Sequence, residues 1–525
     1  MGRLRQIAAI LAASVVLVAV FLARATPAPE EDLIAPVQGK NETVLFFINV
    51  EYGLSNVHLA TASALLEKHP DIDIHIASFP RTASKVAKVN SLAQKKLKGS
   101  RDIHFHELPG PEYLEAISEQ MGSSPGRKSL RHIMHTPGIG GIDTIIPLVQ
   151  AATSPWGGRE HVMIHERSTE LMRTIDPAVV VLDVALRPSI DAAMQSNRLY
   201  AILAPNVLAD TFWFSQPLRS VLMKIPRMGC DFPSPIPWRK IPDNIYFTFR
   251  LIWAIVTRPD VKGTKQYLKE HGIVDSLKAK RPDDRPWFAQ NMPGASIALD
   301  KIPTNVTSMS PIIFDPEPAI EHDPELVAWL ARAPTVLINL GSLFVYSEHH
   351  ATTMALAIEE LLAKTDVQVL WKMDKEDTVP ENYTLPAQNA IDQGRLRVTN
   401  WLTVSPASIL ETGHVVASVH HGGANCYHEA IAAGIPQVVI PMWLDCYNYA
   451  ALAENAGIGV YATRDTAPTW TVEDLRDSFL KVVDGRDESR RMAEKAKGLG
   501  EIARKDPGRY MAAREIARLA GSGYA

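Results

Sequence analysis

This chain of 525 residues has few cysteines and no excess of positive charge. The three cysteines, Cys230, Cys426 and Cys446, are far apart and show no C-x-x-C spacing, so the sequence offers neither a disulfide framework nor a thiolate metal site. Lysine and arginine number 54 against 58 acidic residues, which gives a formal net charge of -4. Without a basic surface the chain lacks a sequence-independent attraction to phosphate backbones, and no nucleic-acid partner is expected.

A dinucleotide-binding motif and a second long apolar segment are also missing. No G-x-G-x-x-G motif follows a predicted strand, which argues against a nicotinamide-dependent dehydrogenase. After residue 40 no apolar segment is long enough to span a bilayer, since the hydrophobic stretch from Asn244 to Thr257 is short and contains Arg250. With 46% hydrophobic residues, the chain instead has enough apolar material for two or three globular domains.

The amino terminus has the composition of a targeting element. Arg3 and Arg5 precede an uncharged apolar run from Ile7 to Ala23. We interpret residues 1–25 as a signal peptide or a signal-anchor, because the run is at the short end of what spans a membrane. This predicts a catalytic part in the lumen of the endoplasmic reticulum or another secretory-pathway membrane, or a secreted protein if the segment is cleaved. Three glycosylation sequons are compatible with a glycoprotein but few enough to arise by chance, and they begin at Asn41, Asn305 and Asn382.

Short strand-like runs alternate with helical patterns through the first half of the chain. The run TVLFFINV from Thr43 to Val50 is continuously apolar, as in a strand buried on both faces, and VVVLD ends in the carboxylate of Asp183. This alternation predicts an α/β domain over residues 40–310. Its aromatic and proline-rich region from Asp210 to Pro259 is interpreted as an irregular insertion or a pocket wall.

A proline-rich, acidic linker at residues 311–324 precedes a second α/β series. Strand-like and helical runs alternate again over residues 325–490, and a charged helical stretch over 491–525 is expected to pack back across both domains. The predicted fold class is therefore α/β, with two doubly wound Rossmann-like domains facing a cleft. Ligand is expected in that cleft, at the carboxyl ends of the strands.

The segment from Val415 to Ala450 has the clearest chemical pattern. VVASVH predicts a buried strand, HGGA a tight turn, and NCYHEAIAA a helix that a glycine and a proline close. Gly423 and the glycine before it let the backbone approach a ligand, and Asn425 suits the N-cap of the helix. The free N–H groups at this helix start form an anion site suited to a diphosphate, and His421 at the strand end supplies a further donor.

The order His, Gly, Asn and Glu in this segment, followed by Gly-x-Pro, Pro and Asp, resembles the nucleotide-binding signature of the UDP-glycosyltransferases. The motif pattern resembles that of fungal members of this family most closely. The family belongs to the family 1 glycosyltransferases and has the two-domain GT-B fold. The resemblance implies an inverting, metal-independent enzyme with a UDP-sugar as donor and no cofactor. It also implies diphosphate contacts from Ser342, His421, Gly423, Asn425 and the backbone of Cys426, a ribose ligand in Glu429, a donor-sugar ligand in Asp445 and a uracil-stacking ring in Trp401.

The first domain, which binds the acceptor in this family, departs from the family pattern at the catalytic base. The family has a histidine in the turn after the first strand, and alignment on Gly53 puts Leu54 at that position. His58, one helical turn further along, is the candidate base, and a structural role for it stays equally open. Asp183 matches the aspartate that orients the histidine, with an ordinary strand-end carboxylate as the alternative.

The predicted function is transfer of a hexosyl group from a UDP-sugar to a hydroxyl of a hydrophobic small molecule or lipid, in secondary metabolism. Cys446 stands where many relatives have the glutamine that helps to select the sugar, so UDP-glucose is only the default donor. Two alternatives stay open: a catalytically inactive nucleotide-sugar-binding protein, because Leu54 occupies the base position, and a sugar-nucleotide epimerase of the same fold. Membrane contact is expected through the N-terminal segment. The hydrophobic acceptor is expected from a stretch of aromatic residues, namely Phe212, Trp213, Phe214 and Trp238.

Overall fold

Two parallel β-sheets form the framework of the part of the chain that the computed structural model describes, which is residues 12–21, 23, 35–122, 133–274, 276, 285–315, 317–380 and 383–522. The strands in the first half of the chain are β1 (Lys40–Phe47), β2 (Asp73–Ser78), β3 (His104–Glu107), β4 (Pro177–Asp183), β5 (Tyr200–Val207), β6 (Trp287–Gln290) and β7 (Val306–Met309). Those in the second half are β8 (Thr335–Asn339), β9 (Gln368–Lys372), β10 (Leu396–Thr399), β11 (Val415–His420), β12 (Gln437–Val439) and β13 (Gly459–Tyr461).

The strand order makes each sheet doubly wound. The first sheet has the order β3-β2-β1-β4-β5-β6-β7, and the second has the order β10-β9-β8-β11-β12-β13. Neighbouring strands are parallel in every described pair. In each sheet the order reverses once, between β1 and β4 in the first and between β8 and β11 in the second. Such switch points open a crevice at the carboxyl ends of the strands, where ligands bind in folds of this kind.

Helices cover both faces of the first sheet. They are α1 (Tyr52–Lys68), α2 (Ala83–Lys96), α3 (Tyr113–Gln120), α4 (Ile142–Thr153), α5 (Gly158–Ile175), α6 (Arg187–Gln195), α7 (Leu208–Phe212), α8 (Leu218–Met223), α9 (Ile241–Val256) and α10 (Pro259–Glu270). Because helices lie on both sides, a strand such as β4 is buried along its whole length and has an unbroken apolar sequence.

The helices of the second half are α11 (Ala319–His322), α12 (Pro324–Leu330), α13 (Glu348–Lys364), α14 (Gln388–Asp392), α15 (Pro406–Leu410), α16 (Ala424–Ala433), α17 (Asp445–Asn455), α18 (Val472–Val483), α19 (Asp487–Lys505) and α20 (Gly508–Ser522). The segment between the sheets is anchored at both ends. Ile312 is buried in the core of the first domain, and Ala319 is buried in that of the second.

The end of the chain forms two helices rather than one. The first, α19, packs against α16 of the second domain. The second, α20, packs against α1 and β1 of the first domain, where Ala513 and Ile516 are fully buried. Small and branched apolar side chains on one face of α20 allow this close approach, and the C-terminal segment consequently lies across both domains.

The region from Asp210 to Pro259 differs from its interpretation as an irregular insertion, because it contains helices α7 to α9. In α9 the buried residues Phe247, Leu251 and Ala254 recur at helical spacing, so its aromatic content forms an amphipathic stripe. The interpretation of residues 1–25 as a signal peptide or signal-anchor falls mostly outside the described residues. Within the described part of this segment, residues 12–21 are helical.

Within the described ranges, none of the helices combines the length and the apolar character needed to cross a bilayer.

Candidate active site

The switch points of the two sheets face each other across the cleft. Asp183 ends β4, and Glu51 lies in the turn that follows β1. Gly341 and His421 lie just beyond β8 and β11. The two sides are in direct contact, since Asn425 Nδ2 donates to the backbone oxygen of Tyr52 at 2.8 Å. Both crevices therefore open into one shared space between the domains.

The turn after β11 requires glycine. Gly422 has a φ of +89°, and a Cβ there would lie 2.7 Å from the backbone oxygen of Cys446. Gly423 is the N-cap of α16. The prediction that Asn425 is the N-cap is wrong, because the helix begins at Ala424 and the Asn425 amide reaches across the cleft instead. The first N–H groups of any helix have no partner within the helix, so this helix start suits an anion.

His421 lies between the glycines of two turns. A Cβ on Gly341 would come within 2.7 Å of the His421 ring, and a Cβ on Gly423 within 2.6 Å. Burial lowers the pKa of His421 to about 3, and the nearby charges of His420 and Lys372 act in the same direction. Its Nδ1 is buried and has no hydrogen-bond partner among the described residues. The ring is thus a neutral, pre-positioned hydrogen-bonding group.

Ser342 lies in the turn after β8 and Trp401 lies just after β10, and a residue that the sequence analysis missed connects these two segments. Lys372, the last residue of β9, donates to the Gly341 backbone oxygen at 2.6 Å, and its Nζ lies 4.2 Å from the centre of the Trp401 ring. Trp401 is 45% exposed, and the Lys372 ammonium lies over its ring. The only signal for Lys372 in the sequence is a lone lysine at the end of a strand.

Cys426 and Glu429 lie on the first turns of α16. Glu429 lines a small cavity together with Asn56 of α1, Asn425 and Ile313 of the segment between the sheets. Burial raises the pKa of Glu429 to about 7. Burial also raises the pKa of the Cys426 thiol, which leaves it protonated, so the contribution of Cys426 to an anion site is its backbone N–H.

Asp445, at the start of α17, is held by a residue of the first domain. Its Oδ2 accepts from Asn206 Nδ2 at 3.1 Å, and burial raises the pKa of Asp445 to about 6. The preceding residue, Leu444, has a φ of +35°, which is strained for a branched side chain. His135 fixes this strained turn, because its Nε2 accepts from the Leu444 N–H at 2.9 Å. Sequence reasoning missed His135, which lies about three hundred residues away along the chain.

His135 also shows which nitrogen carries its proton. Since Nε2 accepts from a backbone N–H, Nδ1 must hold the hydrogen, and it lies 2.9 Å from the Thr136 backbone oxygen, to which it donates. Burial lowers the pKa of His135, in agreement with a neutral ring. The ring therefore links the first domain to the turn in front of Asp445.

The two predicted catalytic residues have different surroundings. Asp183 lies at the switch point, where Oδ2 accepts from the Asn49 N–H at 3.2 Å and Oδ1 accepts from the Ala185 N–H at 2.8 Å. His58 is fully buried on the core side of α1 and packs edge-on against Phe46. Burial lowers the pKa of His58 to about 3. This position conflicts with a role as base, because the ring neither reaches the cleft nor accepts a proton readily.

The predicted aromatic acceptor residues do not form one wall. Phe212 packs in the core against Trp287, the Trp213 ring is covered by the Arg227 guanidinium, and the Trp238 side chain is 75% exposed. Phe214 packs edge-on against Trp213.

Comparison with known proteins agrees with this architecture. The model of the erythromycin biosynthesis protein CIII-like C-terminal domain matches residues 363–503. Glycosyltransferase sdnJ of Sordaria araneosa is 34% identical over 513 residues, which cover 92% of this chain and 99% of the relative. A Polygonum tinctorium UDP-glucosyltransferase capable of glucosylating indoxyl has a TM-score of 0.58 at 16% identity, covering 93% of this chain and 100% of that one. A UDP-glucose: anthocyanidin 3-O-glucosyltransferase in complex with UDP has a TM-score of 0.55 at 14% identity, with coverage of 92% and 100%.

Two doubly wound domains that face each other across a cleft give this chain the GT-B fold of glycosyltransferases. The chain belongs to the UDP-glycosyltransferase family, as its identity with sdnJ over nearly the full length of both chains shows. The predictions of the fold class, of the family and of an enzyme are confirmed.

Proposed function

We propose that this enzyme transfers a hexosyl group from a UDP-sugar to a hydroxyl of a hydrophobic small molecule or lipid, with inversion at the anomeric carbon and without a metal. The observation that carries the proposal is the glycine turn at Gly422, which brings the start of α16 and the neutral ring of His421 to the cleft. The UDP complex of a solved neighbour supports the choice of donor. UDP-glucose stays the default sugar.

This position supports the following roles within the donor site. Ser342, His421, Gly423, Asn425 and the backbone of Cys426 would contact the diphosphate, Glu429 the ribose, Asp445 the sugar and Trp401 the uracil. The departing UDP gains negative charge, and the helix start and the Lys372 ammonium stabilise it electrostatically. These groups supply the stabilisation that a divalent cation gives in other transferases, so the proposal needs no metal.

The placement of the two sides of the cleft supports inversion. The diphosphate site is on the second domain, and the carboxylate of Asp183 is on the facing edge of the first. An acceptor bound to the first domain would approach the anomeric carbon from the side opposite to the leaving group. A single in-line displacement of this kind inverts the configuration.

A hydrophobic acceptor is supported by the surroundings of the donor-sugar loop. Leu444, beside Asp445, packs against an apolar cluster of the first domain that includes Ile145, Phe232 and Phe247. This cluster brings apolar side chains next to the turn that would hold the sugar. It supports acceptors such as phenols, sterols or fatty hydroxyls over polar sugars.

We also propose that the N-terminal segment contacts a secretory-pathway membrane and that the catalytic part is lumenal. In the helical residues 12–21, Val18 is buried against Val221 and Ile252 of the first domain, whereas Val16 is 61% exposed. On α9, Trp253 is 53% exposed. Exposed apolar side chains of this kind suit a lipid surface. In intact microsomes the chain should resist added protease until detergent is added, and digestion without detergent would contradict the lumenal placement.

Turnover separates this function from its alternatives. UDP release and glycoside formation are measured with UDP-glucose and UDP-glucuronate across a panel of hydrophobic alcohols and phenols. The proposal predicts acceptor-dependent UDP release and a product of inverted anomeric configuration by NMR. Saturable UDP-sugar binding without turnover would instead indicate a binding protein, and sugar isomerisation without an acceptor would indicate an epimerase.

A further inference from the structure

The turn between β1 and α1 contains a carboxylate that the sequence analysis did not single out. Glu51 immediately precedes α1, but its side chain makes no cap hydrogen bond to that helix. Instead its Oε1 accepts from the Leu114 N–H at 3.0 Å. Its Oε2 is buried and has no hydrogen-bond partner among the described residues. Leaving a buried acceptor atom unpaired costs free energy, so such an atom calls for an explanation.

Glu51 lies where the two halves of the site meet. The backbone oxygen of the next residue, Tyr52, accepts from Asn425 at the start of the donor helix. Two residues before Glu51, the Asn49 N–H donates to Asp183. The residues on either side of Glu51 thus contact α16 of the second domain and the carboxylate of Asp183.

The ring of Tyr113 gives a second indication of this position. Burial raises the pKa of the Tyr113 phenol, and repulsion from Glu51, Asp183 and Asp445 adds to the rise. Three carboxylates, which follow β1, end β4 and begin α17, therefore act electrostatically on one buried ring. This supports placing a sugar held by Asp445 on the same side of the cleft as Glu51.

The positive charges near Glu51 are engaged elsewhere. Arg81 forms an ion pair with Glu112 through two hydrogen bonds. Lys85 donates to the Val50 backbone oxygen and to Ser55 Oγ. No ion pair among the described residues includes Glu51. Lys85 and Arg81 therefore attract the Glu51 carboxylate without forming an ion pair with it.

The charge balance around Glu51 favours proton uptake. Burial raises the pKa of Glu51 to about 7, repulsion from Asp183 and Glu112 acts in the same direction, and the Leu114 N–H opposes it. Lys85 and Arg81 are the cations that face this group from the neighbouring helix and turn. A general base is most effective when its pKa lies near the working pH.

We propose that Glu51 is the proton acceptor of the transfer reaction, in place of the histidine that the family has at Leu54. This rests on the glycosyltransferase function proposed above. The acceptor O–H bond breaks as its proton moves to Glu51 Oε2, and the oxygen electron pair forms the bond to the anomeric carbon. The bond from that carbon to the diphosphate oxygen breaks, and its electron pair leaves with UDP. Glu51 then returns the proton to solvent.

The test is Glu51→Gln in the full chain, because glutamine keeps the oxygen that accepts from Leu114 and removes the base. We expect kcat to fall about 100-fold or more with UDP affinity unchanged in a calorimetric titration. We expect the fall to shrink along a series of phenols from methoxyphenol to nitrophenol, since more acidic acceptors need less help from a base. In the wild type, kcat should rise with pH through about 7, and this limb should disappear in the variant.

Glu112→Gln is the matched control, because it removes a neighbouring carboxylate that is already paired with Arg81. It should keep kcat within a few-fold and keep the pH limb. Wild-type turnover with near-normal Glu51→Gln activity would overturn the role of Glu51 alone. An equal loss in both variants, or a loss that is the same for all phenols, would also overturn it. If the wild type binds UDP but transfers to no acceptor, the proposed function itself fails and this role fails with it.

Discussion

The donor half and the acceptor half of the cleft are built from the chain in different ways. On the donor side, His421, the start of α16 and Asp445 come from a single stretch of strand, turn, helix, strand and turn. On the acceptor side, Glu51 follows β1 and Asp183 ends β4, so only the pairing of these two strands in the sheet brings them together. A site encoded in one stretch can be recognised from sequence, whereas a site assembled by topology becomes visible only in the fold.

The donor side should be the more sensitive to its backbone, and Gly422→Ala tests this most severely. The residue has a φ of +89°, and the new Cβ would lie 2.7 Å from the Cys446 backbone oxygen, so the turn must shift. We expect UDP affinity, measured by calorimetric titration, to fall on the order of 100-fold, since strain of this kind costs about 1–2 kcal/mol before the clash is added.

Gly413→Ala is the control for strain alone. Gly413 also has a positive φ, of +77°, but no atom lies within 4 Å of the position that its Cβ would take. This variant should lose about 1–2 kcal/mol of unfolding free energy and bind UDP normally. An equal loss of UDP affinity in both variants would mean that the turn at Gly422 has no special part in donor binding.

His421→Ala should have a smaller effect on the same side. It removes one neutral ring next to the diphosphate position and leaves the helix start in place. We expect about tenfold weaker UDP binding and slower turnover, as for the loss of one hydrogen bond to a charged group. His414→Ala, at a partly exposed histidine just before β11, should leave both unchanged. Unchanged UDP binding in His421→Ala would remove this ring from the donor site.

The sequence predicted the two sheets well because strands buried on both faces have unbroken apolar runs, such as VVVLD in β4. It also predicted the glycine turn between β11 and α16, because glycines and a helix pattern follow directly after the strand. The N-cap was placed two residues late, since Asn425 has a strong capping propensity and Gly423 a weaker one. The Asn425 side chain does not cap the helix, because its amide donates to the Tyr52 backbone oxygen across the cleft.

Residues that act through contacts distant in sequence escaped prediction. His135 holds the Leu444 turn from the other domain, and Lys372 reaches the Trp401 ring from the end of a neighbouring strand. Neither has a local pattern, because a single histidine or lysine has many ordinary roles. Glu51 was missed for the opposite reason. The alignment drew attention to Leu54 and to His58, and a carboxylate just before a helix looks like a simple cap.

The acceptor half yields the prediction with the smallest effect on activity, His58→Leu. The His58 ring is fully buried against Phe46, and burial lowers its pKa from 6.5 to about 3. Between pH 6.5 and about 3 the unfolded chain therefore binds a proton at His58 that the folded chain does not. The free energy of unfolding of the wild type is therefore highest above pH 6.5 in this respect, and it falls as the pH drops towards 3. Leucine does not titrate, so the free energy of unfolding of the variant lacks this pH dependence. The difference in unfolding free energy between variant and wild type should therefore be about 2 kcal/mol more favourable to the variant at pH 5 than at pH 8. Urea unfolding at both pH values measures this difference, and turnover should stay within a few-fold of wild type. A loss of turnover with intact UDP binding, matching Glu51→Gln, would return the role of base to His58.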